Sequence, residues 1–381
     1  MSFEIWVYCF MLTAIIFIII LGLLIFVHEL GHFLTARRNG IKADEFGFGF
    51  PPRMFGFIKD EMTGRWQFVP GNREIISKNT IYSVNWLPLG GFVKIKGENG
   101  DGKDESDSFA SKGAWPRIKV LAAGVIMNFI FAWLLISLGL MIGAPEAVDS
   151  NNIGNENFKI QISEVIPNSP ASQMGLQVGD EIIKNAKLNS IKSVQDYINS
   201  AKGQEVALQI KRGRDVLTLK GIPRVDFPEG QGALGIGLAA TVINSYPWYE
   251  ALWKGAVTTF DITIAMLTAL YGILKSLFVG QGSMVEVAGP VGIAILTKQV
   301  ATLGFVYILQ FAALLSINLG IINIFPIPAL DGGRILFILI EKIKGTPVTQ
   351  KTEQMFHTIG FMLLIMLMIF VTFKDVVKFI K

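Results

Sequence analysis

Long apolar runs without a single charge set the pattern of this chain. From Ile5 to Val27 no side chain is charged, and such a run crosses about 30 Å of hydrocarbon as a helix. Val120 to Ala144 and Gln299 to Leu330 are also uncharged, and Gln354 to Phe373 holds only His357 as a titratable group. The pattern predicts an α-helical membrane protein with about four transmembrane helices. A further apolar stretch, Ile262 to Leu274, lies between Asp261 and Lys275. It is too short to cross and reads as an interfacial or re-entrant helix.

Between the spans the period changes to that of strands. Trp66 to Val69, Thr80 to Trp86 and Phe92 to Lys96 predict short strands, with Pro70-Gly71-Asn72 and Leu87 to Gly91 as turns. This β-hairpin region adjoins the end of the first span, where its free edge, including Gly91, Phe92 and Val93, could take up an extended peptide; a plain structural hairpin is the alternative. The acidic run Glu98, Asp101, Asp104, Glu105 and Asp107 reads as a solvated loop. A second β-rich block alternates in Phe158 to Ile162, Val206 to Ile210 and Val216 to Leu219, with Lys211 to Asp215 turning the last hairpin. Within it, Ser193 is the expected cap of a helix that turns Val194, Tyr197, Ile198 and Ala201 inward and stops at Gly203. Pro167 to Ile182 resembles the central stretch of PDZ domains, which take peptides by strand addition. No glycine-rich carboxylate loop precedes the first strand. The resulting division is 1–144, membrane part with hairpin; 145–230, PDZ-like domain; 231–298, linker with an amphipathic surface helix; and 299–381, C-terminal membrane part.

Composition agrees with a bilayer setting. The 381 residues are 51% hydrophobic and only 17% charged, with a mean hydropathy of +0.49; soluble domains carry about a quarter charged residues. A net charge of +4, without a basic run interleaved with aromatics, argues against nucleic acid as a partner. The single cysteine, Cys9, cannot form an internal disulfide. Glu4 stands where a secretory signal carries bases, so the first span is expected to stay in the protein. Arg37, Arg38 and Lys42 follow span one, and Lys112, Arg117 and Lys119 precede span two. These bases place the loop from 35 to 118 in the cytoplasm and the block from 145 to about 250 outside. Arg334, Lys342 and Lys344 agree, whereas Lys374, Lys378 and Lys381 run against four spans that start outside.

At the end of the first span stands His28-Glu29-Leu30-Gly31-His32. Positions i and i+4 share a helix face, so both imidazoles point one way with Glu29 beside them. This is a zinc-binding pattern: two of the usual three protein ligands, with a carboxylate placed to take a proton from water. Chance matches to so short a pattern are common, but ionisable groups at the end of an apolar span are functional by default. A third ligand must come from elsewhere. Glu45 and Glu61 are candidates, though neither lies in an apolar helix. Asp331 is the stronger one, because it follows Asn323 to Leu330, whose two prolines break the helix where only protein or a wet cavity can surround it. Basic residues put this end and the end of span one on the same membrane face. Asn318 and Asn323 need partners in lipid; the first reads as helix-to-helix glue, the second could hold a substrate backbone. His357 reads as an interfacial residue rather than a ligand, and Gly124 with Asn128 as a close helix approach.

Taken in order, His28 to His32, Phe46 to Gly49, Gly90 to Lys94, Ala123-Gly124 with Asn128, the PDZ-like block, Gly289 to Ile293 and Asn323 through Asp331-Gly332-Gly333 resemble the site-2 protease family of intramembrane zinc metalloproteases, in its bacterial regulator-of-sigma-E protease branch. The resemblance covers nearly the whole chain. It implies His28, His32 and Asp331 as ligands of Zn²⁺, Glu29 as catalytic base, Asn323 as a substrate-positioning residue and Gly90 to Lys96 as a membrane-associated β-loop near the substrate. It also implies a bacterial inner-membrane protein acting on transmembrane substrates such as anti-sigma factors or remnant signal peptides. A site-1-type protease would cut those substrates first, since the outer domain would exclude bulky ectodomains. Val125 departs from the family pattern, where proline is usual, and the outer block has room for one PDZ-like domain. A membrane metal transporter and a PDZ-based scaffold are the rival readings. The first has no use for Glu29, and the second none for the histidines.

Overall fold

The computed structural model describes residues 3–73, 75, 77–148, 158–185, 188–213, 215–228, 231–279, 289–346 and 348–380. Asp149, Glu156, Arg214 and Lys381 of the sequence reading lie outside them. The chain divides into two compact units, one of residues 1–136, 254–294 and 312–381, the other of residues 137–253 and 295–311.

The first unit is built on helix α1 (Phe3–Arg38), which carries the apolar run and both histidines without a break. Its last turn ends on Arg37 and Arg38, cations that complement the carbonyl end of a helix. Strands β1 (Ala43–Lys59), β2 (Trp66–Pro70) and β3 (Ile81–Ile95) follow and form a sheet in the order β2-β1-β3. Two separate strands with a turn at Leu87 to Gly91 are expected here; instead one bent strand runs through. Its first half pairs Val84 with Phe55 and its second pairs Gly91 with Phe48, so the chain reverses without losing extended backbone. Among the described residues, Gly91 to Ile95 pair only with β1 and leave their outer edge open. β1 itself is unannounced by the strand reading, because its glycines and prolines mask the alternating Phe46, Phe48 and Phe50. Phe46 stacks on Phe33 of α1 at 4.4 Å and fixes the sheet beside the histidine end.

Helix α2 (Ala114–Ile142) contributes its first part to this unit, joined by α7 (Phe305–Ile324), α8 (Asp331–Lys344) and α9 (Gln350–Ile380). The expected short helix at 262–274 is longer, running as α5 from Trp248 to Val279. Asp261 and Lys275 interrupt its hydrophobicity but not its backbone hydrogen bonding, so the length argument fails. Among the described residues, five helices are therefore long and apolar enough to cross a membrane, the added candidate being Trp248–Ser276. The chain is a multi-pass membrane protein.

The second unit holds a six-stranded sheet ordered β4-β9-β5-β6-β7-β8, from β4 (Ala144–Val148), β5 (Lys159–Val165), β6 (Glu181–Ile182), β7 (Val206–Arg212), β8 (Asp215–Gly221) and β9 (Ile236–Asn244). Two short helices, α3 (Pro170–Met174) and α4 (Ile191–Ser200), accompany it. Ile160, Ile162, Leu208, Ile210 and Leu234 form its core with Val194 and Ile198 of α4. The cap of α4 is Ser190, not Ser193; the two serines bond reciprocally as a capping box. Helix α6 (Pro290–Leu303) ends before Gly304, whose φ of 121° breaks the apolar run that sequence joined to α7.

Candidate metal centre

His28 and His32 lie one helical turn apart on α1 and are buried, at 7% and 6% exposure. Their Nε2 atoms are 3.1 Å apart. Asp331, first residue of α8, brings its Oδ2 to 3.0 Å from Nε2 of His28 and 3.4 Å from Nε2 of His32. These three atoms form a small triangle. Ligands of a tetrahedral zinc at roughly 2.0–2.1 Å stand about 3.4 Å from one another, so the triangle has the size of one face of that polyhedron. Although close, Asp331 Oδ2 is buried and takes no aligned hydrogen bond among the described residues. Two imidazole nitrogens and a carboxylate oxygen aimed at a common point form a donor set that zinc takes. Glu29 stands beside them, with one ligand atom from each of His28, Glu29 and His32 lying within 4.8 Å of one another. Glu45 is committed elsewhere, to Arg53 at 3.1 Å, and Glu61 accepts from Ser77 and from the backbone of Lys78.

Helix α2 locks the imidazoles from behind. Nδ1 of His32 is 2.8 Å from the carbonyl of Val120, and Nδ1 of His28 is 3.0 Å from the Asn128 amide. Gly124 permits this approach, since a Cβ there would sit 2.5 Å from His32 Nε2 and 2.7 Å from His28 Cε1. Asn128 is thus more than the packing residue that sequence suggests. Its backbone carbonyl also accepts from Ser316 of α7 at 2.7 Å.

Asp331 arrives through the turn Phe325 to Leu330, in which Ala329 adopts a left-handed φ of 76°. His357 of α9 accepts the Ala329 N–H at 2.8 Å. The ring that reads as interfacial therefore faces the site. Gly332 has backbone carbonyls of Ile324 and Phe325 where a side chain would begin. Arg334, a turn after Asp331, pairs with Glu98 beyond β3.

A cavity of about 500 Å³ opens on these groups, lined by His28, Glu29, His32, Asp331, His357 and the β3 residues Gly91, Phe92 and Val93 among others. Gly91 lies against α1 so closely that a Cβ would come within 2.7 Å of Phe26 Cα and 3.2 Å of Glu29 Cβ. Asn323, next to the last residue of α7, is half-buried and is not among the cavity's lining residues.

The model of peptidase family M50 matches residues 16–367. The chain belongs to that family. As an M50 protein it is an intramembrane zinc metalloprotease of the site-2 type. The Regulator of sigma-W protease RasP of Bacillus subtilis is 33% identical over 96% of this chain and 99% of its own length. A putative zinc metalloprotease of Clostridium perfringens is 36% identical, covering 93% of this chain and 95% of itself. The zinc metalloprotease RasP of Bacillus licheniformis is 31% identical over 96% and 98% respectively. The rival readings as transporter or scaffold gain nothing from these relatives.

Proposed function

We propose that His28, His32 and Asp331 hold the zinc ion, and that Glu29 is the general base for hydrolysis of peptide bonds inside transmembrane segments. One observation carries the reading: residues some three hundred positions apart in the chain bring three ligand atoms within 3.0–3.4 Å in a cavity that Glu29 also lines. When bound, zinc supplies Lewis acidity towards water and towards the scissile carbonyl.

The chain's own residues do the rest. A helical substrate hides its carbonyls in its own hydrogen bonds and must unwind before attack. The open edge of β3 at Gly91 to Val93 offers extended backbone with which an unwound segment can pair. Glu29 takes a proton as water attacks the carbonyl carbon, and returns it to the leaving nitrogen as the C–N bond breaks. Products are a carboxylic acid and an amine. Asn323 remains a candidate for holding substrate backbone further along the path.

Four crossings, with the metal at the cytoplasmic side, fit the helix contacts. His357 lies at the level of Ala329, and Asp375, 18 positions later on α9, accepts from the Gly292 backbone at 2.8 Å. That separation is about 27 Å along a helix, which supports opposite faces for Gly292 and Asp331, with α7 as the crossing between them. α2 already leads from the level of His32 to that other face. On that reading helix α5 makes no net crossing and is interfacial or re-entrant despite its length. The basic ends of α1 and α8 support the cytoplasmic face of a bacterial inner membrane as the side of Asp331. The sheet with α3 and α4 suits a single PDZ-like outer domain that excludes bulky ectodomains, so that a first cut by another protease precedes this one. A relative named for regulating sigma-W supports a membrane-bound regulator of a sigma factor as one substrate.

Cells carrying Glu29→Gln test this. Transmembrane stubs accumulate and the purified variant keeps its zinc; continued cleavage of a model transmembrane substrate by that variant overturns the assignment.

A further inference from the structure

We propose that His357 is a positioning residue for the Asp331 carboxylate, acting through the backbone of Ala329. The inference rests on Asp331 as a metal ligand. Asp331 opens α8 without help from a side-chain cap, since Leu330 precedes it. Its placement depends on the six residues before it. Pro326 and Pro328 have no N–H to anchor that turn, which closes through the Ile327 N–H to Phe325 O at 2.7 Å and the Leu330 N–H to Ile327 O at 3.2 Å. Between these stands Ala329 at φ 76°, a conformation that side chains other than glycine disfavour.

The Ala329 N–H goes to Nδ1 of His357 at 2.8 Å, across from another helix. One turn further on, Gly360 leaves a notch into which Pro328 fits: a Cβ there would stand 2.7 Å from the Pro328 carbonyl oxygen. α9 thus grips the turn twice, once by a hydrogen bond and once by shape. Nδ1 accepts, so the ring proton sits on Nε2, which is buried and has no hydrogen-bond partner among the described residues. Without the acceptor, Ala329 loses the contact that offsets its backbone conformation. The turn relaxes, and Asp331, two residues on, leaves the imidazoles.

The test uses the full-length protein in detergent micelles, with zinc affinity read by chelator competition and folding by thermal melting of the metal-free form. His357→Leu should lower zinc affinity roughly 10–100-fold, the range for lost outer-sphere support. His357→Asn, whose Oδ1 occupies the place of Nδ1, should keep most of it. Wild-type affinity in His357→Leu overturns the proposal, and so does equal damage by Asn and Leu. Should the leucine variant fail to fold, Asn against Gln decides, because Gln carries its oxygen near the Nε2 position; Gln holding zinc as well as Asn overturns it too. Failure of the underlying reading shows separately, as wild-type zinc affinity in Asp331→Ala.

Discussion

Asn128 of α2 meets His28 of α1 at 3.0 Å, amide to Nδ1, inside the protein. A histidine that binds metal through Nε2 carries its proton on Nδ1 and needs an acceptor there. The Asn128 amide, turned by 180°, supplies its Oδ1, which otherwise finds no partner among the described residues. His32 meets the same need through the Val120 carbonyl. Asn128→Leu should weaken zinc binding roughly 10–100-fold and Asn128→Asp should not, as measured by chelator competition. Equal zinc affinity in all three proteins would refute this role.

On the proposed assignment, removing the Asp331 carboxylate from the triangle leaves two imidazoles. Asp331→Ala should purify with little zinc while keeping its helices, checked by metal analysis and circular dichroism. A chelator should abolish cleavage by the wild type, and added Zn²⁺ should restore it. Full zinc occupancy in Asp331→Ala would send the search for a third ligand elsewhere.

Gly91 should tolerate no side chain. A Cβ there meets Phe26 and Glu29, so Gly91→Val pushes β3 off α1 and displaces the open edge. Zinc content is expected to stay near that of the wild type while cleavage of a transmembrane substrate falls at least tenfold, about 1.4 kcal/mol in the barrier. Loss of zinc in step with activity would mean that the strand supports the metal instead.

A buried ion pair braces the six-stranded sheet. Asp180 is fully buried and takes both Arg212 contacts at 2.7 Å, plus the Gln177 N–H at 2.9 Å. Arg212→Ala leaves that charge unpaired and should destabilise this unit by about 3–5 kcal/mol. Limited proteolysis of the whole protein should then cut within residues 158–228 first. A wild-type cleavage pattern would contradict the estimate.

Much of the site was legible because its chemistry is local in sequence. The i, i+4 histidines fall on a helix that the apolar run already demands, and two prolines before Asp331 mark irregular backbone at membrane depth. Asn128 and His357 carry no such mark: each is a lone polar residue whose partner lies in another helix, and only packing reveals it. In β1 the alternating phenylalanines were a usable signal, obscured by Gly47, Gly49, Pro51 and Pro52. The sequence understates α5, because Asp261 and Lys275 look like helix boundaries yet leave its backbone hydrogen bonding intact.

The order of the chain sets a schedule. Domains take shape as the ribosome delivers them, and α1 with α2 brings both histidines and their locks into the bilayer early, with Gly31 seated on the Ala123 carbonyl. The proposed third ligand, Asp331, is made only after α7, so the paired imidazoles wait for it through most of the chain's synthesis. A chain released before Asp331 therefore has both imidazoles but lacks the carboxylate that the proposed centre needs.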